Sequence, residues 1–117
     1  KSITRYLPGD FHFSEYAKVW KYDYAPGYSR SFNIDIYALA VSPGDYSMVG
    51  EVKSRDTRKF SREEVEAFER KFDEVKRCEH LEKVVGFIFS RSGFTAEAEE
   101  YCKEKGIACS EDERWLL

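Results

Sequence analysis

No run of apolar residues in this sequence approaches the roughly 20 that a membrane-crossing helix needs, so no membrane span is expected. Cysteine is sparse. Cys78, Cys102 and Cys109 are odd in number and contain no C-x-x-C pair, which points neither to a disulfide framework nor to a zinc site. They read as small apolar or surface thiols. Histidine is scarcer: His12 and His80 have no neighbouring ligands at metal spacing and read as surface residues. An excess of positive charge is also missing. With 19 Lys and Arg against 22 Asp and Glu, the net charge is -3, which argues against a protein that coats nucleic acid non-specifically. No signal-peptide pattern opens the sequence, and it starts at Lys1 rather than Met, which suggests a processed, trimmed or excised piece. These absences together lead to the expectation of a soluble, cytoplasmic protein.

What is present suits a folded domain. A chain of 117 residues fits one domain and buries roughly two thirds of its unfolded surface. Its composition, 42% apolar and 35% charged, is that of a globular protein rather than a disordered one. Residues 1–12 carry Pro8-Gly9-Asp10 and read as an N-terminal loop or ordered arm, leaving residues 13–117 as the domain.

The first half alternates with a period of two. Residues 13–24 place Tyr16, Lys18, Trp20, Tyr22 and Tyr24 on one parity and Phe13, Glu15, Ala17, Val19 and Lys21 on the other, which is a strand pattern. Ala25-Pro26-Gly27 supplies a turn. A second alternating run, Phe32 through Leu39, turns at Pro43-Gly44-Asp45 and returns as Met48-Val49-Gly50-Glu51-Val52-Lys53, giving an antiparallel meander of three strands. The aromatic face of the first strand suits stacking on bases, but on a half-buried sheet such rings are more often packing or partner-docking residues.

After Arg55 the period changes. Ser61-Arg62-Glu63-Glu64 has the form of a capping box, and Val65, Phe68, Phe72 and Val75 follow as one apolar stripe, predicting a helix that ends near Arg77. Val84 through Ser90 is a continuous apolar run typical of a strand buried on both faces. A second helix is expected from an N-cap at Thr95 to Lys105, with Ala98, Tyr101 and Cys102 inward and Gly106 as its stop. Ile107-Ala108-Cys109 makes a last strand. The order β-β-β-α-β-α-β requires parallel crossovers. The fold class is therefore α/β: a mixed sheet, part antiparallel meander and part parallel crossover, flanked by helices.

Chemistry concentrates on the central hairpin. Strand side chains alternate faces, so Glu51 and Lys53 project to one side while Val52 points to the other. Folding the hairpin sets Asp35 opposite or diagonal to that pair. Two carboxylates and an ammonium inside apolar strands are costly unless compensated, and a divalent cation bound by carboxylate oxygens compensates them. The same three residues also suit a cross-strand salt bridge on a solvated face, which contributes little; strands bounded by Ile34, Ile36, Val49 and Val52 and followed by a crossover helix argue against full exposure. Beside the cluster, Arg55, Arg58, Lys59 and Arg62 stand against the single acid Asp56. Alone they read as a solvated loop; next to Glu51 and Lys53 they point to phosphate binding. Ser90, Arg91 and Ser92 follow the buried strand at a carboxyl end, where crossover sheets gather function, although a plain loop accounts for them.

Ile34-Asp35 on one strand, Glu51-Val52-Lys53 on the next, then a helix, a buried strand and Gly93-Phe94-Thr95 opening another helix resemble the PD-(D/E)xK superfamily of restriction-endonuclease-like nucleases, in its archaeal and bacterial forms. The likeness spans most of residues 13–109. It implies a restriction-endonuclease-like fold, DNA as substrate, Asp35, Glu51 and Lys53 as catalytic residues, and Mg²⁺ as cofactor held by Asp35, Glu51 and the backbone carbonyl of Val52. Ile34 stands where the family's name has Pro. The family usually places a helix before the first strand, which residues 1–12 are too short and too rich in breakers to form, so a fragment, a partner-supplied layer or a divergent member is implied.

Phosphodiester cleavage needs charge neutralised on the non-bridging oxygens and a water in line with the leaving oxygen. Asp35 and Glu51 are hard oxygen ligands suited to Mg²⁺, and Mn²⁺ should substitute. Lys53 touches water or phosphate, as a base only if desolvation lowers its pKa and otherwise as a positioned cation. The expected function is thus a metal-dependent DNA endonuclease. The alternatives are a non-catalytic nucleic-acid-binding module and an interaction domain of a larger ATPase or restriction system. Cutting both strands with one site per chain favours a homodimer.

Overall fold

The computed structural model describes residues 6–10, 16–24, 32–42 and 44–111, with the backbone alone for 16–24 and 32–35. Three strands come first: β1 (Tyr16–Tyr24), β2 (Phe32–Ala40) and β3 (Ser47–Lys53). The rest alternates as α1 (Arg62–Cys78), β4 (Val84–Ser90), α2 (Ala96–Lys105) and β5 (Ile107–Ser110). The expected strand start at residue 13, the turn at residues 25–27 and Pro43 lie outside the described residues.

All five strands form one sheet in the order β1-β2-β3-β4-β5, antiparallel across β1/β2 and β2/β3 and parallel across β3/β4 and β4/β5. The expected α/β class, with its meander and two crossovers, is what the chain adopts. Local chemistry fixes the helix ends. At α1 the Ser61 side chain accepts from the Glu64 amide while the Glu64 carboxylate accepts from the Ser61 amide, so two orphan donors of the first turn are satisfied. At α2 Thr95 caps the start, accepting from the Ala98 amide. Gly106 ends it at φ 71, a left-handed conformation that glycine adopts without a Cβ penalty.

Both helices lie on one face of the sheet. Val65, Phe68 and Val75 of α1 and Ala98 and Cys102 of α2 share a buried cluster with Tyr37, Val49, Ile88 and Ile107, one or more from each of the four inner and edge strands β2 to β5. Phe68 sits so close to Gly86 that a Cβ there would lie 3.0 Å from its ring. The opposite face gathers Ala38, Met48, Val85, Phe87 and Ala108 around Leu7. The N-terminal arm is therefore ordered where described: Leu7 seals the far face, while Tyr6 packs toward the helices and donates a hydrogen bond to Glu99 at 3.0 Å. No described helix is long and apolar enough to cross a membrane.

Candidate functional site

Strand alternation decides which side chains meet the helices. Val49 belongs to the helix-side cluster and Met48 to the other, so Glu51 and Lys53, two and four residues after Val49, face α1. The Glu51 side chain is only 11% exposed. It is held from two elements: the Lys53 ammonium lies 4.0 Å from Oε2, and the Lys71 ammonium of α1 lies 3.7 Å from Oε1. Both distances exceed hydrogen-bonding range, so these are ion pairs across a small gap. Arg55 adds a third positive charge within electrostatic range of Glu51.

Asp35 is placed by register. Ile36 pairs with Gly50 across β2/β3, and the next residues along the two antiparallel strands are Asp35 and Glu51. Its side chain lies outside the described residues, as do those of Tyr16, Trp20, Tyr22 and Tyr24. Among the described residues no three His, Cys, Asp or Glu side chains cluster as a metal site would require. Described residues alone thus bring one carboxylate, and the backbone carbonyl of Val52 beside it, to the position. Asp35 would supply a second carboxylate, and two carboxylates with a carbonyl are the kind of donors Mg²⁺ accepts, an ion that takes one or two protein carboxylates and keeps several waters.

The basic loop is more constrained than its sequence suggests. Its backbone is zipped onto the turn after β4: Phe60 bridges Phe94, the Phe60 amide donates to Gly93 at 2.9 Å and the Thr95 amide donates to Phe60 at 3.0 Å. Ser90, fully buried, donates to the Gly93 carbonyl at 2.9 Å, and Ser92 donates to the Arg58 carbonyl. These two serines build the loop, and Arg91 pairs with Asp56.

Arg55 makes a two-pronged contact with Glu64, one bond being Nη1 to Oε1 at 3.1 Å, and lies over the Phe60 ring. Arg58 approaches the same carboxylate at 3.7 Å but is 72% exposed, and Arg62 pairs with Glu66 one turn on. Lys59 is exposed. Burial pushes the Glu64 carboxyl up, but the Arg55 hydrogen bond and the Ser61 amide outweigh it, so the group titrates below its ordinary range. The hydrogen bond to Glu64 raises the Arg55 guanidinium correspondingly.

Of the sequence-predicted site residues, the structure thus brings Glu51 and Lys53 together with Val52 between them, sets the backbone of Asp35 one residue beyond the Ile36–Gly50 pair that ends the β2/β3 ladder, and arrays Arg55, Arg58, Lys59 and Arg62 along the adjoining loop and helix start. Sequence reasoning missed Lys71 and the second role of Glu64. Lys71 carries a signal in hindsight: it stands three residues after Phe68 and four before Val75, on the inward side of a helix whose other inward positions are apolar. Comparison of the chain with protein-family models, with curated proteins and with solved structures finds no match.

Proposed function

We propose that the chain is a metal-dependent endonuclease that hydrolyses DNA phosphodiester bonds at a site formed by Asp35, Glu51 and Lys53, on a restriction-endonuclease-like form of the mixed sheet. The observation that carries this reading is the Glu51 carboxylate: nearly buried toward the carboxyl end of β3, one step along the strands from the Ile36–Gly50 pair and so near the position of Asp35, with the ammonium groups of Lys53 and Lys71 at 4.0 and 3.7 Å. A carboxylate withdrawn from water is costly unless cations compensate it, and a divalent ion bound by carboxylate oxygens is one such compensation.

In this reading Glu51, Asp35 and the Val52 carbonyl would hold Mg²⁺ or Mn²⁺. Bound there, the ion supplies Lewis-acid neutralisation of the phosphate and eases deprotonation of water. Lys53, 40% exposed at its side chain, orients water or contacts a non-bridging phosphate oxygen. Its ammonium lies among Glu51 and solvent rather than in an apolar pocket, which favours a positioned cation over a general base. Arg58 and Lys59 meet the backbone phosphates of the duplex, and Arg55 and Arg62 support them from the loop base and the helix start.

The test is cleavage of supercoiled plasmid, linear duplex, single strands and a branched junction in Mg²⁺, Mn²⁺ or EDTA, with Asp35→Asn, Glu51→Gln and Lys53→Ala shown by circular dichroism to be folded. Metal-dependent cutting lost in all three variants is the expected result. A folded wild-type chain that neither cuts nor binds Mn²⁺ would refute the reading. It would favour the alternative of a non-catalytic nucleic-acid-binding or interaction module in a larger ATPase or restriction system, for which the neutralisation of Glu51 by two lysines also has a place. Such a module binds DNA with steep salt dependence and without metal.

A further inference from the structure

We infer that Lys71 is the internal counter-ion of Glu51, occupying the carboxylate until a divalent cation displaces it and then turning its ammonium to the substrate phosphate. This rests on the nuclease reading above and adds a residue from a second structural element to the site. Lys71 is one turn from Phe68 and one from Val75, both fully buried, so its stem runs toward the sheet and an apolar residue there would simply extend the core. The chain instead delivers an ammonium 3.7 Å from Glu51 Oε1, while Lys53 takes Oε2 at 4.0 Å. Each carboxylate oxygen thus has one lysine.

Exposure orders the three groups. The side chains of Lys53 and Lys71 are 40% and 34% exposed, against 11% for Glu51. The lysines are therefore the solvent-open members of the cluster and the carboxylate its enclosed one. The charge balance works in the same direction: with Asp35 counted, Lys53 and Lys71 match the two carboxylates of the proposed site, so a dication entering it gains most when an ammonium withdraws. Because the contacts are ion pairs without hydrogen bonds, release of Lys71 breaks no directional bond. A dication on Glu51 repels the ammonium, and the flexible four-carbon stem lets it move toward solvent, where the phosphate arrives.

Mn²⁺ binding to the full chain by calorimetry, without DNA, separates this role from a structural one. Lys71→Met keeps the apolar stem and removes the charge, Lys71→Arg keeps the charge, and Glu51→Gln removes the ligand. The Met variant is expected to bind Mn²⁺ about tenfold more tightly than wild type, since a cation competing for the same carboxylate is gone. The Arg variant stays near wild type, and Glu51→Gln loses the binding. At saturating Mn²⁺ the Met variant should nevertheless cut plasmid roughly tenfold more slowly, for want of a phosphate contact. Unchanged or weaker Mn²⁺ binding by a folded Lys71→Met protein overturns the counter-ion role, and undiminished cutting overturns the phosphate role. Absence of Mn²⁺ binding by wild type overturns the nuclease reading itself, and this inference with it.

Discussion

Glu64 joins the basic loop to the start of α1, and replacing it should expose how much of the site's frame depends on one carboxylate. In Glu64→Ala, the Ser61 amide loses its acceptor at 3.0 Å and Arg55 loses its two-pronged partner. The capping half contributes about 0.5–1 kcal/mol. The ion pair is partly open to water, its side chains being 22% and 21% exposed, so its share is discounted for screening to about 1 kcal/mol. Together the loss is about 2 kcal/mol, a fall in Tm of roughly 10 °C for a domain of this size. Urea unfolding at neutral pH measures it, and a double-mutant cycle with Arg55→Met isolates the pair, with an expected coupling of about 1 kcal/mol. The pH dependence has a definite sign. The Glu64 carboxyl titrates below its ordinary range in the folded chain, so its contribution is present above the unfolded pKa and disappears as pH falls through the folded one. The gap between wild type and Glu64→Ala must therefore narrow in acid. Additivity of Glu64→Ala and Arg55→Met within about 0.3 kcal/mol, or a gap that widens in acid, would refute the reasoning.

Three further outcomes are expected. Gly86→Ala places a Cβ 3.0 Å from the fully buried Phe68 ring and 3.5 Å from Phe72; overpacking should destabilise by about 1–3 kcal/mol in chemical unfolding, and a neutral effect would mean that the helix is not seated on the sheet there. Tyr37 is pushed up to about 12 by burial and by Glu79, and Tyr101 to about 12 by its hydrogen bond to Glu69 and by burial. Raised above the unfolded value of about 10, both contribute stability that is full below that pH and lost as pH climbs to about 12, so alkaline unfolding should coincide with the tyrosinate absorbance change. Among Cys78, Cys102 and Cys109, Cys102 is buried and its thiol is held well above the ordinary range by the Cys109 hydrogen bond and by burial; native protein should resist thiol reagents at Cys102 until denaturant is added, as peptide mapping would show.

What the sequence disclosed follows the range of the interactions involved. The capping box at Ser61 and Glu64, the Thr95 cap and the Gly106 stop are written within a few residues of each other, and the structure has each where its pattern put it. The strand β4 was equally legible, because six consecutive residues with no polar side chain before Ser90 suit a strand covered on both faces. The placement of both helices on one face depends on something longer in range, the sheet order β3-β4-β5. Two successive crossovers of the same hand, stepping in the same direction, must leave their helices on the same side. Nothing local to α1 or α2 states that order.

The site was legible where its residues share a strand and hidden where they do not. Glu51 and Lys53 are two apart, so strand alternation alone put them on one side, and the pairing of Ile36 with Gly50 leaves Asp35 and Glu51 as the next residues along their two strands. Lys71 depends instead on the axial rotation of α1 over the sheet, which the packing of Phe68 on Gly86 and of Val65 and Val75 into the core sets. The basic loop misled in the opposite direction: counted along the chain it holds one acid, but folding brings Glu64 to Arg55 and Arg58, and Glu66 to Arg62. Its charge is thus spent largely on fixing the loop beside β3, leaving Arg58 and Lys59 as its outward cations. The same packing that seats α1 therefore does two things at once: it carries Lys71 to Glu51 and, about two turns earlier in the helix, Glu64 to Arg55. A shift of α1 along the sheet would disturb both ion pairs together, so the position of this helix, more than any residue of the hairpin, sets the electrostatics of the carboxylate at the end of β3.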